Sequence, residues 1–176
     1  MLSNLSFKFR LSLLAFLALF LNSAQAGFEE DYEKQAWQEI QFQMPAAPKS
    51  ESLIPFYVSA ATDNRFFVDG SSVSVGSDGV VRFVMVVLTS GGARNVSFEG
   101  MRCETGERRI YASGRSDGAW SKSRRNEWEK VKEAVANRHY ATLYYEYFCP
   151  GGIIARSDQE AIGALRAGVH PDNRRW

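Results

Sequence analysis

The chain has little of what catalytic and metal sites are usually built from. It has two histidines, His139 and His170, far apart in sequence, and no HxxxH or HExxH spacing. A histidine-based zinc site therefore lacks its ligands, and no metal is expected. No GxSxG elbow occurs, and a triad would need one of those histidines to find a serine and an acid in space. Gly91-Gly92 and Gly151-Gly152 lack the flanking residues of a phosphate loop, so no nucleotide cofactor is expected. The cysteines number two, Cys103 and Cys149, and no CxxC spacing exists, which disfavours a thioredoxin-type role. Neither sign of charge dominates, with 21 basic and 20 acidic residues.

What is present starts at the N-terminus. Lys8 and Arg10 precede the apolar run Leu11 to Leu21, broken only by Ser12, and Ala24-Gln25-Ala26 follows. This pattern reads as a secretory signal peptide over residues 1–26, with cleavage expected after Ala26. The run is about half the length a membrane-spanning helix needs, which disfavours a retained anchor. No later run reaches that length, so no transmembrane segment is expected after cleavage. No cysteine sits at the cleavage site to be acylated, so the mature chain is expected to be soluble in the periplasm. Export sets nucleic acid aside as a partner. It also makes a Cys103–Cys149 disulfide the expected state, worth roughly 4 kcal/mol in the chain-entropy model. Two buried free thiols or an intermolecular bridge are the alternatives.

Charge is unevenly spread. Residues 27–52 carry six acidic and two basic side chains, and residues 94–138 carry eleven basic and seven acidic ones. The simple explanation is a set of solvated faces. The sharper one is that the acidic N-terminal segment lies across the basic surface of the same domain. Phe28 to Phe42 has apolar residues at helical spacing, and Met44-Pro45-Ala46-Ala47-Pro48-Lys49 breaks it. Residues 27–52 are thus expected to be an acidic helix followed by a proline-rich linker.

Residues 53–168 are expected to form one α+β domain. Strands are expected over Leu53–Val58, Arg65–Asp69 with a continuation over Ser72–Val75, Val80–Thr89, Arg94–Cys103 and Glu107–Ser113. Val80–Thr89 is apolar on both faces and should be central. In Arg94–Cys103 the apolar alternation changes parity at Gly100, and a bulge there would bring Phe98, Met101 and Cys103 to one side. Asn126–Asn137 and Tyr140–Phe148 read as helices, with Tyr140 and Tyr145 the exposed aromatics. Ser157-Asp158-Gln159-Glu160 is a capping box opening a third helix, which Gly168 closes. Residues 169–176 read as a loose polar tail. The expected fold is an antiparallel sheet of five or six strands covered by C-terminal helices, with one disulfide.

Candidate site residues are few. Asp63, Asp69, Asp78 and Asp117 all sit beside turn residues, where aspartate serves the local backbone. Asp69 is the best acid for a glycan or cell-wall hydrolase. Arg108, Arg109, Arg115, Lys122, Arg124 and Arg125 offer the best anion or polymer contact, and Tyr145 is the best exposed aromatic. Asp69, Arg108, Arg115 and Tyr145 are therefore the candidate ligand residues. His139 reads as a surface or capping residue.

Several segments carry a resemblance. Arg65-Phe66-Phe67-Val68-Asp69, Ser77-Asp78-Gly79-Val80-Val81-Arg82 and the stretch from Ser90 to Gly100 resemble the cryptic neisserial protein family. So do Arg102-Cys103-Glu104-Thr105, Asp117-Gly118-Ala119-Trp120 and Tyr147-Phe148-Cys149-Pro150. The resemblance runs from about Trp37 to Gly168. It implies an exported protein of Gram-negative bacteria and carries no activity or site residues. The strand and cysteine arrangement is also similar, in architecture, to surface-adhesin protein E type domains. The leading expectation is a non-enzymatic binding or envelope-interaction module whose partner is an unknown protein or envelope component. An envelope hydrolase working through Asp69 is the alternative.

Overall fold

The computed structural model describes residues 36–170, and the unit discussed below begins at Trp37. The expected signal peptide and the first part of the expected N-terminal helix lie outside the described residues. Among those described, seven strands form one antiparallel sheet. They are β1 (Leu53–Phe56), β2 (Arg65–Val75), β3 (Val80–Leu88), β4 (Arg94–Arg102), β5 (Glu107–Gly114), β6 (Trp120–Lys122) and β7 (Glu129–Lys130). The order is a simple meander from β1 to β6, and β7 pairs with the start of β5. The expected α+β class holds, with the two-residue β7 as an addition.

β-Branched residues and short turns explain most of this. β3 is rich in valine, and its two faces are both buried, as a pattern apolar at every position but Arg82 demands. One face of the sheet carries Val68, Val81, Phe83, Met85 and Met101. It packs against the C-terminal helices through Leu143, Tyr147, Phe148, Ile162 and Leu165. Those helices are α1 (Arg138–Thr142), which runs on as a π-helical turn over Leu143–Phe148, and α2 (Asp158–Ala167). Pro150 ends the first. Ser157 caps the second by accepting the Glu160 N–H, and left-handed Gly168 terminates it. Glu160 reaches back one residue further than a standard capping box, to the Arg156 N–H. The Cys103–Cys149 disulfide ties the end of β4 to the end of the π-helical turn, with Cα atoms 5.3 Å apart.

The opposite face carries Val84, Val86, Phe98 and Tyr111, with Trp120 and Val96 at its edge. No helix covers it. Instead residues 37–49 run across it as an extended strap that pairs with no strand. The expected helix thus has no helical turn from Trp37 onward. Glu39 finds its partner on the sheet, and Trp37 and Ile40 find theirs at Asp78 in the turn between β2 and β3; an extended chain delivers alternate side chains to one surface.

Three further expectations are corrected. β4 pairs with β3 in continuous register through Gly100, so no bulge lies there, and Phe98 faces away from Met101 and Cys103. The bulge is in β5: Ile110 opposes Glu99 and Ala112 opposes Phe98, leaving Tyr111 as the extra residue. The helix expected over 126–137 is absent. β7 takes Glu129 and Lys130 onto the β5 edge, the Val131 N–H donates to the Gly106 carbonyl, and only a 3₁₀ turn forms at Val135–Asn137. The tail begins from a held residue, since His170 is buried and its N–H donates to the Glu146 carbonyl at 2.9 Å.

Candidate functional site

The most concentrated chemistry lies under the strap. The Glu39 carboxylate enters a cradle made by Arg82 of β3 and by Arg109 and Tyr111 of β5. Arg82 Nη2 is 2.9 Å from Glu39 Oε1 and Arg109 Nη1 is 2.7 Å from Oε2. The Tyr111 hydroxyl donates to Oε1. Arg82 also pairs with Asp78 at 2.6 Å, and Asp78 Oδ2 accepts the Ile40 N–H at 3.1 Å. Asp78 serves its turn through the Val80 N–H, as expected, and in addition anchors both arginine and strap.

Aromatic rings flank the carboxylate on both sides. Trp37 lies on the Arg102 guanidinium at 4.0 Å, meets Trp128 edge-on, and donates from Nε1 to the Asp78 carbonyl. Phe42 packs on Tyr111 and Phe98, with the Arg82 guanidinium 4.8 Å from its ring. Such cation–π contacts strengthen as they are desolvated. Trp120 Nε1 donates to the Pro45 carbonyl, holding the far end of the strap. The loop preceding β7 forms one wall, where Asn126 Oδ1 accepts from Arg109 Nε and Trp128 meets Tyr111 edge-on.

Local backbone choices build this geometry. Arg82, Gly100 and Arg109 are cross-strand neighbours in one row. A Cβ at Gly100 would lie 2.2 Å from the Tyr111 hydroxyl, so the tyrosine crosses β4 only because that position has no side chain. A Cβ at Gly76 would lie 2.2 Å from Asp78 Oδ1 and 2.8 Å from Arg82 Nη1. The Asp78 carboxyl is held below its usual range. Burial pushes it up, but hydrogen bonds from Arg82, Ile40 and Val80 and the Arg82 charge outweigh that. Burial and the Glu39 carboxylate raise Tyr111, so it stays a neutral donor. The cradle is not saturated: Arg82 Nε and Arg102 Nε are buried without an acceptor.

A second group of titratable residues lies on the helix-covered face. Glu99 is buried on the core side of β4. One oxygen accepts from the Ser97 hydroxyl, Tyr140 Oη lies 3.5 Å from the same oxygen, and the other oxygen has no partner. Burial pushes its carboxyl up to about 7, against the Ser97 hydrogen bond and the nearby Arg108 charge. His139 stacks on Phe66 at 5.1 Å, and burial together with Arg108 lowers it to about 4.

The residues singled out in the sequence do not converge. Asp69 is buried, and its Oδ1 accepts both the N–H and the hydroxyl of Ser71 at a register shift in β2. It organises that irregularity, and its burial leaves the hydrolase alternative without an accessible acid at Asp69. Arg108 lies over the Tyr140 ring at 3.9 Å and pairs with Glu129. Arg115 is exposed and pairs with Asp117 in its own turn. Tyr145 is exposed as expected, on the side of the helical segment near Tyr57. Tyr140, expected to be exposed, is buried beneath Arg108, and His139 is half-buried rather than a surface residue. Among the described residues no group of three His, Cys, Asp or Glu is placed to hold a metal ion, and no helix is long and apolar enough to cross a membrane.

Sequence reasoning missed Glu39, Arg82, Tyr111 and Glu99 as site residues. One signal was available: Arg82 is the single charge inside an otherwise apolar central strand, and a buried arginine requires a carboxylate partner. A comparison with known families finds that the profile of the CNP1-like family matches residues 32–166, which includes the strap, the sheet, α1 and all but the last residue of α2. No curated protein and no solved structure matches the chain. The chain belongs to the CNP1-like family.

Proposed function

We propose that this CNP1-like family member is an exported, non-enzymatic binding module of the bacterial envelope, and that its binding site is the Arg82–Arg109–Tyr111 cradle. The observation that carries the reading is the Glu39 carboxylate held there by both arginines and the tyrosine hydroxyl. A carboxylate bound between two guanidiniums and flanked by aromatic rings is how a protein recognises an acidic side chain on an extended segment. Here the occupant is the chain's own strap. The strap carries no strand pairing, so it can leave without breaking the sheet. A periplasmic location rests on the Leu11–Leu21 run with its Ala24-Gln25-Ala26 ending, and the Cys103–Cys149 disulfide is in keeping with an oxidising compartment.

The test uses the full mature chain with the strap disabled by Trp37→Ala, Glu39→Gln and Phe42→Ala. A library of short peptides, each with one glutamate among random neighbours, is titrated into it. Saturable binding, lost on adding Arg109→Ala, supports the reading. A folded, disulfide-intact variant that takes up no peptide contradicts it.

A further inference from the structure

The strap shows more than that a carboxylate fits. It shows which neighbours the carboxylate needs. Two residues before Glu39, Trp37 covers Arg102 and meets Trp128; one residue after it, the Ile40 N–H reaches Asp78; three residues after it, Phe42 seats on Tyr111 and Phe98. Gln38 and Gln41 are exposed and make none of these contacts. We infer that the cradle selects extended protein segments with an aromatic residue two positions before an acidic residue and a second aromatic three positions after it, supplied in the cell by a partner protein that displaces the strap. This inference rests on the cradle being the binding site.

The spacing follows from the sheet. Arg102, Arg82 and Arg109 sit on adjacent strands of one face, so their distances are fixed by strand separation and not by flexible loops. An extended chain advances about 3.3 Å per residue, so shifting the acid by one position moves it out of the fork of the two guanidiniums. The following position must also supply a backbone N–H to Asp78, which excludes proline there. Displacement has a physical source in the two unused donors, Arg82 Nε and Arg102 Nε. A foreign segment that offers an acceptor to either one makes a bond the strap does not make, and leaving such buried donors unmet is costly.

The experiment measures fluorescence anisotropy of labelled peptides against the strap-disabled full chain. The probes are the sequence of residues 36–43, the same peptide with glutamate replaced by glutamine, with either aromatic replaced by alanine, and with the glutamate and isoleucine exchanged. The native sequence should bind about tenfold tighter than the glutamine and exchanged peptides, since hydrogen bonds to charged groups are worth about 1.5–3 kcal/mol. Each alanine peptide should bind several-fold more weakly. The wild-type chain, with its strap seated, should bind the native peptide at least about tenfold more weakly than the disabled one. Equal affinity for the native and exchanged peptides overturns the spacing rule and leaves a general carboxylate site standing. Absence of saturable binding by every peptide overturns both.

Discussion

The two faces of the sheet are closed by different means. One is covered by two helices whose apolar side chains interdigitate with the strands, and a disulfide fixes that cover covalently. The other is covered by an extended strap whose hold is a carboxylate between two arginines, flanked by aromatic rings. On the proposed reading, the difference is one of replaceability. The helical cover contributes the main apolar core, so removing it removes the fold. The strap seats a polar head in a row of strand residues, and on the proposed reading another chain with the same groups meets the same partners. The polar clusters also differ in sign. Glu99, beneath the helices, is buried with its charge disfavoured, whereas Asp78, beneath the strap, is buried with its charge favoured.

The largest expected effect breaks the helical side. Replacing Cys103 and Cys149 with alanine, or reducing the disulfide, should cost about 4 kcal/mol. A urea titration followed by far-UV circular dichroism would show the midpoint fall. If the midpoint is unchanged, the helical cover does not depend on its staple.

The next effect separates the faces by pH. Glu99 is raised to about 7 from 4.5, so its contribution is fully present below pH 4.5 and is lost as the pH rises to about 7. His139 is lowered to about 4 from 6.5, so its contribution is present above pH 6.5 and is lost as the pH falls to about 4. Each amounts to about 3 kcal/mol, and the two slopes oppose each other between them. These two residues should therefore leave wild-type stability nearly flat from pH 4.5 to 6.5. Glu99→Gln should expose a loss toward acid, and His139→Gln a loss toward neutral pH, in denaturation midpoints. On the strap side, the Asp78 contribution is present above 3.8 and is lost only as the pH falls below it. Strap release at pH 6, read by Trp37 fluorescence, would contradict the assignment.

Smaller effects should fall on the strap alone. Gly100→Ala places a methyl group against Tyr111 and should cost about 2 kcal/mol. It should raise protease cleavage within residues 37–49 before cleavage of the sheet. Glu39→Gln removes the charge and should weaken strap seating by about 1–2 kcal/mol, with little change in the urea midpoint of the sheet.

How much of this was legible in the sequence depended on range. β2 to β5, their turns, the capped α2 and the disulfide all announce themselves through local pattern: valine-rich alternation, Asp-Gly, a capping box and an even cysteine count. The strap did not, because Trp37, Ala36 and Ile40 also fit helical spacing, and what decides between helix and extended chain is Arg82, 43 positions from Glu39. Trp128, Val131 and Val135 failed for the same reason, since pairing of Glu129 and Lys130 with the β5 edge overrode their spacing. Gly100 was read as an exceptional position, but its purpose is room for Tyr111 rather than a bulge. Glu99 shares an alternation with Asn95 and Ser97 that reads as a polar outer face. Only the position of α1 over β4 makes it an interior acid.

Hydrogen exchange on the wild-type chain and on Glu39→Gln, resolved by peptide, tests the central claim most directly. If the strap is a replaceable occupant of a preformed cradle, the variant should lose protection at Trp37–Phe42 while β3, β4 and the helices keep theirs. Loss of protection across the strap, the sheet and the helices together would show that the strap is part of the cooperative core, and the cradle would then be no binding site.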